Sequence, residues 1–150
     1  MSKRVLAVAS SGGHWVQLGR LRPAFEGLDV AFASVVPSYA ADVSGHRYYT
    51  FDDVSRFNKA KLLVVALQIF RILSKEQPDV VITTGAAPGL ITLALAKTIF
   101  RAKTIWIDSM ANCEQMSTSG EQARRFADIW LTQWAHLSNP HGPECWGGVV

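Results

Sequence analysis

RVLAVASSGGH (residues 4–14) decides how this chain is read: an apolar run, a stop made of two serines and two glycines, then a histidine that opens a helical pattern. After Arg4, residues 5–9 carry apolar side chains in succession rather than in alternation. That suits a parallel strand buried on both faces. Ser10, Ser11, Gly12 and Gly13 end the strand. Residues 14–25 then set Val16, Leu18, Leu21 and Phe25 at near-helical spacing. Pro23 interrupts them, and a proline inside a helix costs about 3 kcal/mol or forces a kink. A bent or broken helix is therefore expected.

The same strand–turn–helix unit recurs downstream. Residues 29–36 (DVAFASVV) read as a strand ended by Pro37, and residues 39–51 are polar and aromatic without clear period, with a short strand near 48–51. Residues 58–75 are the longest helix candidate. Asn58 is its N-cap, and Leu62, Leu63, Ala66, Ile69, Phe70 and Leu73 are its apolar stripe. After Pro78, residues 79–83 (DVVIT) form a strand, residues 84–89 a tight turn, and residues 89–100 a helix so apolar that it must be buried or packed on something greasy. A strand at 103–107, a helix at 119–126 and a strand at 128–132 follow. The tail at 138–148, with two prolines and three glycines, reads as loop. Such alternation argues for an α/β fold: one Rossmann-like domain over 1–150, a mostly parallel sheet with helices on both faces.

Composition narrows the classes. The chain has 150 residues, 49% apolar and 18% charged, with 15 basic and 12 acidic residues and a net charge of +3. That is too apolar and too weakly charged for a disordered chain. Cys113 and Cys145 stand too far apart for a disulfide scaffold or a zinc knuckle, and the histidines show no ligand spacing. No metal and no cofactor are expected. The mild positive charge suits an anionic ligand or membrane surface and does not call for nucleic acid. The five apolar residues at 5–9 are too few for a signal peptide, and the apolar stretches at 62–67 and 86–96 fall short of the ~18 residues of a spanning helix. The chain is expected to be soluble or peripheral, in a reducing compartment.

Ligands of parallel α/β sheets bind at the carboxyl ends of the strands, and the residues with chemistry fall there. Ser11, Gly12, Gly13 and His14 follow the first strand. Glycines let backbone amides approach an anion, a helix N-terminus favours negative charge, and a histidine there serves as base or donor. The spacing is neither G-x-G-x-x-G nor a P-loop, and an ordinary tight turn with an exposed histidine fits it too. Thr84, Gly85, Ala86 and Pro88 make a close-approach loop for a phosphate or for a neighbouring loop. Asp108 and Glu114 follow the fifth strand; each suits a sugar hydroxyl, or equally a helix cap or a surface charge. The helix at 58–75 sets Lys59, Lys61, Arg71 and Lys75 beside a broad apolar face, which reads as core packing or as contact with anionic headgroups. Trp130, Trp134 and Trp146 read as core or as a partner surface.

Taken together and in order, these loops resemble a known family. The match runs through Ser10–His14 with Leu18, residues 78–88, residues 103–109, residues 117–120, residues 125–128, and Gln133 with Trp134. It resembles the bacterial proteins of polysaccharide (capsule and exopolysaccharide) biosynthesis that form one half of a split glycosyltransferase. These are related to the eukaryotic membrane-anchoring subunit of the dolichol-linked N-acetylglucosaminyltransferase. The Gly-Gly-His turn is also similar to a loop in the transferase that adds N-acetylglucosamine in peptidoglycan synthesis.

The resemblance implies the N-terminal, acceptor-side half of a GT-B fold. It implies transfer of a sugar from a UDP-sugar to a polyprenyl-diphosphate-linked acceptor, with a separate catalytic subunit supplying the nucleotide-sugar site. By that similarity Gly12, Gly13 and His14 sit near the donor diphosphate or the attacking hydroxyl, and residues 84–88 line the acceptor side. Asp108 then lies near the lipid-linked sugar, with His14 and Asp108 as the catalytic candidates and Ser11 and Glu114 among the binding ones. Relatives tend to carry an aromatic residue and an arginine within 110–114, where Met110 and Asn112 stand here. No counterpart of the eukaryotic N-terminal membrane helix is expected, so attachment to the cytoplasmic face of the membrane would be peripheral. The other reading is a scaffold that recruits the catalytic subunit without doing chemistry.

Overall fold

The computed structural model describes residues 2–53 and 58–149. Its centre is a seven-stranded sheet in the order β3-β2-β1-β4-β5-β6-β7, every neighbouring pair parallel. The strands are β1 (Arg4–Val8), β2 (Asp29–Ser34), β3 (Arg47–Thr50), β4 (Val80–Thr83), β5 (Lys103–Ile107), β6 (Ile129–Thr132) and β7 (Glu144–Cys145). The helices are α1 (Gly13–Arg20), α2 (Lys59–Glu76), α3 (Ala86–Thr98) and α4 (Thr118–Ala123). β1 lies between β2 and β4, so the chain order reverses there. In a doubly wound sheet that reversal opens a crevice at the carboxyl ends of the two strands.

Successive side chains of a strand point to opposite faces, and both faces of this sheet are apolar. Leu6 and Val8 of β1 join Val81, Trp106, Leu93 of α3 and Val65, Ile69 and Leu73 of α2 in one core. Val5 and Ala7 join Val30, Phe32, Ile82, Ile107, Leu131 and Trp15 and Leu18 of α1 in the other. Trp106 is wholly buried; truncating it to alanine is expected to cost about 3–5 kcal/mol.

Local chemistry sets the element ends. The helix expected over 14–25 is broken, as Pro23 required: α1 stops at Arg20, and a short 3₁₀ stretch (Arg22–Phe25) takes the proline in its first turn, where no amide is needed. Asn58 caps α2, its side chain accepting from the Lys61 amide at 3.1 Å. The α2 stripe read from sequence was turned partly the wrong way. Val65, Ile69, Ile72, Leu73 and Glu76 face the core, while Leu63 and Phe70 point outward. Apolar residues occupy more than one side of this helix, so spacing alone did not single out the buried side. The α3 helix begins at Ala86 rather than residue 89, because Pro88 sits in the first turn, where its missing amide costs nothing. Two features escaped the sequence reading. Residues 37–43 form a 3₁₀ stretch, and the tail is not all loop, since β7 adds two residues to the edge of β6.

Candidate functional site

The loops after β1 and β4 meet at the crevice. His14 opens α1, and its Nδ1 lies 3.0 Å from the Thr84 carbonyl; the Thr84 hydroxyl donates back to the His14 carbonyl at 2.7 Å. A carbonyl only accepts, so Nδ1 carries the proton. In the neutral ring that leaves Nε2 as an acceptor. His14 is only partly buried.

Glycine is needed on both sides of this contact. Gly12 has φ 69° and, as the N-cap of α1, offers no side-chain cap of its own. Gly85 has φ 130°, and a Cβ there would lie 2.9 Å from the His14 ring. Gly85 is also the bare N-cap of α3, which like α1 has no acidic residue in its first turn. Two helix N-termini without a side-chain cap thus meet where the strand order reverses, with their first amides lacking intrahelical partners. Ser11, Gly12 and Gly13 are exposed there, Ala86 is half-buried, and Pro88 is buried in the first turn of α3.

The turn is held from behind by the 3₁₀ stretch that sequence reading missed. The Tyr39 hydroxyl accepts from the Gly12 amide at 3.1 Å, its ring stacks on Trp15 at 4.7 Å, and the Trp15 indole donates to Asp42 at 2.9 Å. Aromatic residues without period gave no signal of this.

Asp108 stands elsewhere. It is 1% exposed. Its carboxylate accepts from the Trp106 indole at 3.1 Å, Asn112 at 3.2 Å, the Ser117 amide at 2.9 Å and the Ser117 hydroxyl at 2.6 Å. Ser117 is in turn the N-cap of α4. The neighbouring Ser109 faces the opposite way and accepts from Gln17 of α1 at 3.1 Å. The fold therefore brings Ser11–His14 and Thr84–Ala86 together, and turns the Asp108 carboxylate toward α4, away from α1. Glu114 is exposed on the loop between β5 and α4.

An amide pair, Gln17 buried and Gln133 half-buried, completes the frame. Gln17 Oε1 accepts from the Met110 amide at 3.2 Å and from Gln133 at 2.6 Å; Gln133 also donates to the Asp108 carbonyl at 2.9 Å. Gln17 lies one helical turn after His14, so the network ties the histidine's helix to the loop after β5. That i, i+3 spacing was the signal available in sequence for Gln17; Gln133 stood in a matching motif without being assigned a role.

A single parallel sheet flanked by helices, its strand order reversing between β1 and β4, defines the class: the Rossmann-like half of a GT-B fold. The MurG of Acinetobacter baumannii superposes with a TM-score of 0.77 at 14% identity, over 99% of this chain and 46% of that one. The UDP-N-acetylglucosamine 2-epimerase of Rickettsia bellii does so with a TM-score of 0.66 at 16% identity, over 91% and 40%.

Residues 53–150 match the model of the family described as oligosaccharide biosynthesis protein Alg14 like, and the chain belongs to that family. Among curated proteins, the UDP-N-acetylglucosamine transferase subunit ALG14 of Eremothecium gossypii is 27% identical over 78 residues, which is 49% of this chain and 35% of that protein. The chain thus aligns with about a third of that relative and under half of the solved chains.

Proposed function

We propose that this chain is the acceptor-side subunit of a two-component glycosyltransferase. It helps transfer a sugar from a UDP-sugar to a polyprenyl-diphosphate-linked acceptor in capsule or exopolysaccharide biosynthesis, peripherally bound at the cytoplasmic face of the membrane. A separate subunit supplies the nucleotide-sugar site and most of the catalytic surface. The names carried by the relatives support N-acetylglucosamine chemistry: a UDP-N-acetylglucosamine transferase subunit, and epimerases of the same nucleotide sugar.

One observation carries the mechanism: the Nδ1–H of His14 is committed to the Thr84 carbonyl, so the neutral ring keeps Nε2 as its acceptor. Nε2 takes the proton of the acceptor hydroxyl as that oxygen bonds to the anomeric carbon. The bond from that carbon to the β-phosphate oxygen breaks, and the amides at the starts of α1 and α3 steady the departing diphosphate. Ser11, Gly12, Gly13 and Ala86 line this space; the buried Thr84, Gly85 and Pro88 shape the wall behind them, and the exposed Glu114 reaches the sugar from the loop after β5. Asp108 acts by holding the loop that carries Ser109, rather than on the sugar directly.

The test is sugar transfer by the chain purified with its partner, captured by affinity from mildly solubilised source membranes. His14→Ala is expected to lower turnover about 10²-fold or more, the range of a general base, with the far-UV spectrum unchanged. Near-wild-type turnover would remove the base role and leave the scaffold reading, in which the chain recruits the catalytic subunit only.

A further inference from the structure

The outward side of α2 is apolar and exposed. Leu63, Val64 and Leu67 are 63%, 44% and 53% exposed and Phe70 is 39% exposed; Leu63 and Leu67 lie across the helix from the buried Val65 and Ile69. The stripe continues across to the end of α3: the Phe70 ring meets that of Phe100 at 5.4 Å, and the adjacent Ile99 is 54% exposed. A contiguous patch of large exposed apolar side chains marks an interaction surface.

Charge identifies what fits it. Lys59, Arg71 and Arg101 frame the patch, and among the described residues their side chains form no ion pair. Between Lys59 and Arg101 the only acidic residues are Glu76, which is buried against Arg47, and Asp79, at the far end of the sheet before β4. Asp52, which lies beside α2 with its amide on Gln68, is paired with Lys61 at 3.5 Å. An apolar stripe bordered by Lys59, Arg71 and Arg101 matches anionic headgroups over an acyl boundary. A second copy docked about a two-fold axis would instead set these cations against their own equivalents.

We infer that the outer face of α2 and the end of α3 lies on an anionic lipid bilayer, resting on the transferase reading for its purpose. Connecting two parallel strands, α2 starts at the carboxyl-end edge of the sheet, and α3 starts there too, at Gly85. A bilayer along α2 therefore reaches the edge that carries His14 and Thr84, and an acceptor held in that bilayer by its polyprenyl chain meets the crevice without leaving the lipid.

Flotation of the purified chain with vesicles tests this. Vesicles of phosphatidylcholine alone are compared with vesicles containing about 30 mol % phosphatidylglycerol, at low and high salt. Binding is expected to the anionic vesicles, to weaken with salt, and to fall about tenfold or more in Leu63→Glu/Leu67→Glu and in Lys59→Glu/Arg71→Glu. These positions are exposed, so the melting temperature checks that folding is kept. Trp146→Glu, an exposed tryptophan in the C-terminal segment, and His14→Ala are expected to bind as wild type. Wild-type binding in the double variants, equal loss in Trp146→Glu, or no binding by the native chain overturns the proposal. So does a native dimer that Leu63→Glu/Leu67→Glu splits without any effect on lipid. Vesicle binding retained alongside full transfer by His14→Ala would instead fail the transferase mechanism and leave the membrane face standing.

Discussion

His14 and Thr84, seventy residues apart, hold each other by two reciprocal hydrogen bonds, imidazole Nδ1 to carbonyl at 3.0 Å and hydroxyl to carbonyl at 2.7 Å. The pair ties the first turn of α1 to the loop before α3 and selects the tautomer of the ring. Nitrogen-15 NMR of labelled histidine is expected to show the Nδ1–H form for His14. Thr84→Val removes the hydroxyl and keeps the backbone acceptor. The expected outcome is a loss of about 1 kcal/mol in denaturant unfolding, with the same tautomer retained.

Gly85→Ala tests the same contact from its other side. The added methyl would sit 2.9 Å from the His14 ring at a φ of 130°, which alanine rarely adopts. Transfer is expected to fall nearly as far as in His14→Ala, with the His14 ring resonances shifted.

Asp108→Asn separates holding a loop from handling a proton. An asparagine oxygen cannot satisfy all the donors that surround the carboxylate, and its NH₂ would face one of them. A loss of about 3 kcal/mol in stability is expected. An unchanged unfolding midpoint together with lost transfer would return Asp108 to the chemistry.

Gln17→Leu is expected to lower stability by about 2 kcal/mol, since it strands Ser109, the Met110 amide and part of Gln133. Because Gln17 positions α1 rather than touching substrate, its effect on transfer should fall on kcat more than on KM, with the pH profile unmoved.

Acid lowers stability through two carboxylates. Burial pushes the Glu76 carboxyl up, but hydrogen bonds from Arg47 and Tyr49 outweigh it and hold it below its ordinary value of 4.5. Asp128 behaves alike: burial raises it, while Lys97 and Thr104 hold it below 3.8. A carboxyl depressed in the folded chain contributes stability that is complete above its unfolded value and is lost as pH falls through its folded one. The melting temperature is therefore expected to decline below about pH 4.5, and Glu76→Gln should flatten part of that decline.

Strand runs such as residues 4–9 and 79–83 were readable because a parallel strand buried on both faces must be a short continuous apolar run, and glycine or proline must end it. Asn58 and Pro23 were readable for equally local reasons, a side-chain cap and a missing amide. The candidate loops followed, since parallel topology sends ligands to the carboxyl ends of strands. What spacing along the chain could not carry was direction. Leu63 and Phe70 sit on a helix apolar on several sides, and which of them turned inward depended on where the sheet lay.

The sequence by itself determined the parallel α/β fold, the order of its units and the loops where chemistry belongs, because those follow from hydrophobic period and turn residues within a few positions of one another. Tertiary structure alone decided which loop residues meet. It set the His14 ring on the carbonyl of Thr84, buried Asp108 against the cap of α4, drew Tyr39 behind Gly12, and left one side of α2 bare. Each of these depends on contacts between segments distant in the chain, and the choice among partners was made by the geometry of the sheet rather than by any local pattern.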